Sequence, residues 1–317
     1  MDSVDPLGML KPARKITGIS PVLLSFRPSG EVDWGSFEGH LARTLDADLM
    51  PAVNTDVGCV SLISPTIREE VLINARAALG SRPFVAGAYV ADERGQGLNE
   101  DAYFHEVEQI QKLGGTPLIL QSNGLTALDR ERLVATYRRI GDRCERFLGF
   151  EFAASFAPYG RIYDLETWAE LMHIPACVGI EHASGSRKLE WERITLRDAH
   201  RPEFMILSSN TGALDMVMYG SDHIVPASTL NPGLFALRDA MWEARDPDFH
   251  ELNDLLQKLS NFVFRGPLPA YRHSIAQFLK LRGMISSSTP HPRSIRRPED
   301  DVQRFAGFVE EMLVWEC

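Results

Sequence analysis

Cysteine is scarce: Cys59, Cys144, Cys177 and Cys317 are spread over 317 residues, with no C-x-x-C pair among them. That spacing excludes a zinc ribbon or a disulfide framework and fits a reducing compartment. An excess of positive charge is also missing. The chain carries 33 basic against 43 acidic residues, a formal net charge of −10, which argues against nucleic acid or an anionic membrane surface as partner. No apolar run approaches the ~20 residues of a membrane span. The acidic opening Met-Asp-Ser-Val-Asp-Pro lacks the apolar core of a secretory signal, so a cytoplasmic location is expected. Neither G-x-G-x-x-G nor G-x-x-x-x-G-K-[ST] occurs where a nucleotide site would need it, and no cofactor is expected.

What is present is ample material for a core. Hydrophobic residues make up 44% and charged residues 24% of the chain, the balance of a soluble globular protein. After a proline-marked arm over residues 1–15, short β-branched or apolar runs alternate with segments of helical periodicity. Strand starts fall near residues 16, 49, 83, 116, 147, 177, 203 and 222, each interval long enough for one βα unit. Candidate caps open several helices: Asp33 before Trp34, Phe37, Leu41 and Leu45; Ser64 with Pro65; Asn99 before Tyr103, Val107 and Ile110. Further helices are expected at 128–140, 164–172 and 191–199, with a short one at 212–218. Eight such units predict a (β/α)8 TIM barrel over residues 16–317, a single domain. Residues 233–317 supply additional C-terminal helices: 233–244, 249–263, 269–284 and 299–315.

The most informative stretch is Ala-Cys-Val-Gly-Ile-Glu-His-Ala-Ser-Gly over residues 176–185. Its apolar run reads as a buried sixth strand that ends on Glu181 and His182. Ionisable residues are rare in buried strands unless paired or coordinated, and the carboxyl ends of parallel strands are where sites are built. Glu181 is therefore the first candidate for chemistry.

Several stretches together resemble the dihydrodipicolinate synthase/N-acetylneuraminate lyase family. They are Gly18 to Trp34, Ser64 to Val71, Leu207 to Val225 with its Gly220-Ser221-Asp222-His223, and the terminal helices from Ile275 to Met312. The resemblance implies a lyase of the aldolase superfamily with a (β/α)8 barrel, a small-molecule substrate, and a homo-oligomer, dimer or tetramer. The chain departs from the family at the chemistry. Asn54-Thr55-Asp56-Val57-Gly58 stands where the family has Gly-Thr-Thr-Gly-Glu, and Ser155-Phe156-Ala157-Pro158 where it has Tyr-Asn-x-Pro. In Gly179-Ile180-Glu181-His182-Ala183-Ser184-Gly185, Glu181 takes the place of the Schiff-base lysine. A carboxylate cannot form an iminium, and the six lysines all lie elsewhere.

The expected reaction is thus carboxylate acid/base chemistry on a small polar carbonyl or hydroxy acid. Alternation along strand five, expected over 147–154, puts Glu151 on the face of Ser155; with Ser155 taking the inward direction that the resemblance implies for the family's tyrosine, Glu151 is expected to share the barrel interior with Glu181, with Ser155 as third catalytic candidate. Asn54, Thr55, Asp56, Gln121, Arg161 and Ser208 are the substrate-binding candidates. Bland readings stand beside these: Glu151 as a satisfied structural glutamate, Asp56 as a loop cap, Arg161 in a loop salt bridge, and Gln121 in a turn. Two alternatives remain: a divalent-metal lyase or isomerase using Glu151, Glu181 and Asp56 as ligands, and a non-catalytic small-molecule-binding barrel.

Overall fold

A computed structural model describes residues 5–316. Its elements alternate as the periodicity predicts: β1 (Ile19–Pro21), α1 (Trp34–Asp46), β2 (Met50–Val53), α2 (Pro65–Leu79), β3 (Val85–Ala88), α3 (Glu100–Lys112), β4 (Thr116–Ile119), α4 (Asn123–Thr126) and α5 (Arg130–Gly141). They continue as β5 (Phe147–Phe152), α6 (Leu165–Met172), β6 (Cys177–Ala183), α7 (Arg187–His200), β7 (Met205–Ser208) and β8 (Asp222–His223). The chain closes with α8 (Pro232–Ala244), α9 (Phe249–Val263), α10 (Tyr271–Leu281), α11 (Asp301–Arg304) and α12 (Ala306–Leu313). The strands follow in the order β1 to β8, and the registered pairs are parallel. This is a (β/α)8 barrel with added C-terminal helices. Among the described residues no helix is long and apolar enough to cross a membrane.

Caps set the helix starts. The side chains of Asp33, Ser64, Asn99, Asp129 and Asp164 each accept a backbone N–H of the first turn, satisfying a donor that the helix itself leaves free. The segment expected as a helix over 212–218 is instead a 3-10 turn, Leu214–Tyr219. The last expected helix, 299–315, breaks near Phe305 into α11 and α12.

Two compact units make up the chain. One comprises Pro83–Ile224 with the N-terminal residues up to Lys11, and the other Pro12–Arg82 with Val225–Cys317. In the first, β5, β6 and β7 form the best-registered wall. Gly179 has to be glycine there, because a Cβ would lie 2.8 Å from both the Cβ and the carbonyl oxygen of Met205. That close approach brings β6 and β7 together and fixes which residues share a face.

Candidate functional site

In the first unit the register pairs Phe150 with Glu181 and Glu151 with His182, and then Glu181 with Leu207 and His182 with Ser208. Neighbours in a parallel ladder share a face. Glu151, His182 and Ser208 therefore lie on one side of the sheet, and Phe150, Glu181 and Leu207 on the other. The first side is the helical one. The Trp168 ring of α6 lies edge-on to His182 at 6.2 Å, and Arg193 of α7 reaches Glu151. Glu181 consequently faces the opposite, interior side near the end of β6, 8% exposed.

This corrects the expectation that Glu151 and Glu181 share one interior. Ser155 is not part of the strand: β5 ends at Phe152, and Ser155 sits exposed in a turn. Strand parity does not pass through a turn. The carboxylate pair, and the metal ligand set that needed it, dissolve with that correction.

Glu151 is instead the centre of a buried ionic cluster. Its Oε1 accepts from His182 Nδ1 at 2.5 Å and from Arg193 Nε at 2.8 Å, and its Oε2 accepts the Tyr163 backbone N–H at 2.6 Å. Arg193 Nη2 also donates to the Tyr163 carbonyl at 2.6 Å. Burial alone would raise the Glu151 pKa, but the hydrogen bond from His182 and the Arg193 guanidinium beside it outweigh that, and the carboxyl is held below its ordinary value. His182 Nε2 lies 2.7 Å from Ser184 Oγ.

A second buried carboxylate, Glu190 of α7, has only neutral donors recorded around it. Ser208 Oγ, Asn210 Nδ2 and Ser221 Oγ donate to it at 3.2, 2.5 and 2.6 Å. Burial pushes its pKa up against the partial relief of His182 and these donors. Ser208, expected to bind substrate, is spent on Glu190 in the helical layer. Gln121 and Arg161 are spent on each other: Gln121 Nε2 donates to the Arg161 carbonyl at 2.7 Å, and Gln121 Oε1 accepts the Arg161 N–H at 3.0 Å. The Arg161 guanidinium donates to the carbonyls of Thr126 and Leu128. These two residues clasp the loop after β5.

In the second unit the end of β2 carries Asn54 in the left-handed region, φ 51°. Its Nδ2 donates to the Arg68 carbonyl at 3.0 Å, while its Oδ1 is buried without a hydrogen-bond partner. Thr55 Oγ1 is likewise buried and unpartnered. Most buried polar atoms find a partner; these two, on consecutive residues at the carboxyl end of β2, do not. Asp56 accepts from Tyr271 Oη at 2.5 Å and from the Arg272 guanidinium, whose Nε also donates to the Asp56 carbonyl at 2.6 Å. It therefore ties down its own loop, as a cap would.

Glu190, Arg193 and Tyr163 escaped the sequence reading. The signal was there in part: Glu190, Arg193, Ile194 and Arg197 recur at helical spacing on the buried face of α7, and a charge pair on a buried face needs partners.

Among the described residues no cluster of three or more His, Cys, Asp or Glu side chains is arranged to hold a metal. No protein-family model matches the sequence, and no curated protein does. The (β/α)8 barrel with its C-terminal helices is an architecture shared with solved structures. A monomeric dihydrodipicolinate synthase variant is 19% identical over 98% of this chain and 99% of its own, with a TM-score of 0.79. The dihydrodipicolinate synthase of Thermotoga maritima is 19% identical over 94% and 99%, with a TM-score of 0.77. A chloride-inhibited dihydrodipicolinate synthase from Acinetobacter baumannii, complexed with pyruvate, is 18% identical over 94% and 99%, at 0.76. The chain has the fold of the dihydrodipicolinate synthases over nearly its whole length.

Proposed function

We propose that the protein is a lyase-type enzyme for a small polar carbonyl or hydroxy acid, of the 2-oxo or 2-hydroxy acid class, that works without a lysine Schiff base. One observation carries the reading. All six lysines (Lys11, Lys15, Lys112, Lys188, Lys258, Lys280) are exposed and none lies on a strand, whereas β6 presents Glu181 to its interior face. An imine requires an amine; a mostly enclosed carboxylate instead removes or returns a proton. Glu181 would take the proton α to a carbonyl, or deliver one to a departing hydroxyl.

In the second unit, the unpartnered Thr55 hydroxyl is a donor for a substrate oxygen, and Asn54 Oδ1 an acceptor for a substrate hydroxyl. Both are proposed, for that unit by itself, as groups that bind a small polar ligand. The same reading carries self-association as a dimer or tetramer, which light scattering of the purified chain would test.

The decisive experiment is exchange of the α-hydrogens of 2-oxo and 2-hydroxy acids in D2O, followed by NMR. The wild type exchanges one of them, and Glu181→Gln, folded by circular dichroism, does not. Exchange undiminished in that variant would overturn the proposal.

A further inference from the structure

On the helical face, three side chains lie in a line that the interior chemistry does not use. Glu151, wholly buried, accepts from His182 Nδ1 at 2.5 Å, and His182 Nε2 lies 2.7 Å from Ser184 Oγ. The order of groups fixes the protons. Glu151 also accepts from Arg193 Nε and the Tyr163 N–H, so it is an ionised acceptor and the imidazole proton resides on Nδ1. In the neutral imidazole Nε2 is then the lone-pair nitrogen, and the Ser184 hydroxyl at 2.7 Å is placed to donate to it. The Ser186 N–H donates to Ser184 Oγ at 3.0 Å, and the hydroxyl's second acceptor, the Ser186 carbonyl, is farther off at 3.3 Å.

Access is graded along the line. Glu151 and His182 are fully buried, while Ser184 is half-buried in the loop between β6 and α7. The hydroxyl is thus the end a reagent meets first. Just beyond it α7 begins, 14 residues long and capped by Ser186, whose hydroxyl and carbonyl take the N–H groups of Leu189 and Glu190. The N–H groups of Arg187 and Lys188, in the first turn, have no acceptor within the helix, and the helix dipole favours negative charge there.

We propose that Ser184, His182 and Glu151 form a nucleophilic triad, giving the protein a hydrolase activity on small activated carboxylic esters separate from the reaction assigned to Glu181. A triad is defined by geometry and roles, not by order in the chain. Ser184 Oγ bonds to the ester carbon while its proton passes to His182 Nε2, and the carbonyl oxygen becomes an oxyanion beside the first turn of α7. The oxyanion collapses, the bond to the alcohol oxygen breaks, and the alcohol leaves with the proton from His182. Water then repeats the sequence on the acyl-serine, releasing the carboxylic acid and restoring the hydroxyl. The net change is ester plus water to acid plus alcohol. Glu151, which touches no substrate, is a positioning residue that holds the imidazole tautomer.

The test uses the full chain with a fluorophosphonate probe and with 4-nitrophenyl acetate. The expected result is one phosphonyl adduct, mapped by peptide mass spectrometry to Ser184, and 4-nitrophenolate release that falls at least about 100-fold in Ser184→Ala. Ser184→Cys keeps the geometry and should be alkylated at that position by iodoacetamide at neutral pH, because the imidazole would draw off the thiol proton. Absence of a Ser184 adduct on folded wild type, wild-type ester hydrolysis by Ser184→Ala, or an unreactive thiol in Ser184→Cys would each overturn the proposal.

Discussion

Glu151 and His182 stand directly opposite one another in the β5–β6 register, and their side chains meet at 2.5 Å on the face turned toward α6 and α7. With Arg193 at 2.8 Å the carboxylate balances two buried nitrogen partners. Glu151→Gln keeps the shape but leaves Arg193 buried without its anion. Breaking a buried pair in this way costs about 3–5 kcal/mol, which urea unfolding at pH 7 would measure.

The same residue sets an acid limb. Its folded pKa lies below the unfolded value of about 4.3, so its contribution is present above that value and is lost as pH falls through the folded pKa. The stability gap between wild type and Glu151→Gln should narrow steadily as pH drops from 5 toward 2. A gap that stays constant over that range would show that the charge of Glu151 is not what stabilises the fold.

Glu190 has the opposite sign. Its folded pKa is raised by burial, so its contribution is present below the unfolded value and fades as pH rises through the folded one. Relative to wild type, Glu190→Gln should gain melting temperature progressively from pH 4 to pH 8. Parallel melting curves across that range would count against an awkwardly buried charge.

Thr55→Val separates binding from folding. Removing a buried hydroxyl that has no partner should leave stability unchanged or raise it by up to about 1 kcal/mol. If the end of β2 holds a small 2-oxo or 2-hydroxy acid as proposed, calorimetric affinity for that acid should fall about tenfold, the loss of one hydrogen bond of ordinary strength. A loss of stability comparable to that of other buried substitutions would mean that Thr55 is a packing residue.

Pyruvate with borohydride should leave the intact mass unchanged, since every lysine is exposed and off the strands. An added pyruvate-derived mass on any lysine would restore the imine route.

Much of the fold was legible because its signals are local. Asp33, Ser64, Asn99 and Asp164 announce helix starts through their own hydrogen-bonding reach, and α9 spans the 249–263 that its periodicity gives. Strand ends are less local. The 147–154 run stops as a strand at Phe152, because what ends a strand is the loss of a neighbour to pair with. That error of two residues carried Glu151 to the wrong face. The roles of Gln121, Arg161 and Ser208 were hidden for a related reason: their partners lie 40, 40 and 18 residues away in the chain, distances that no spacing rule reads.

Glu181 and His182 are consecutive, yet they serve opposite sides of one strand, and Gly179 pins that strand against Met205. The distance along the chain from Gly179 to Glu181 is therefore a fixed count. Losing or gaining one residue within it would send the histidine inward and bring another side chain up against Arg193, exchanging the two environments at a stroke. Laboratory evolution of this protein should accordingly recover no single-residue insertions or deletions in β6, while length changes collect in the exposed turn at 154–156.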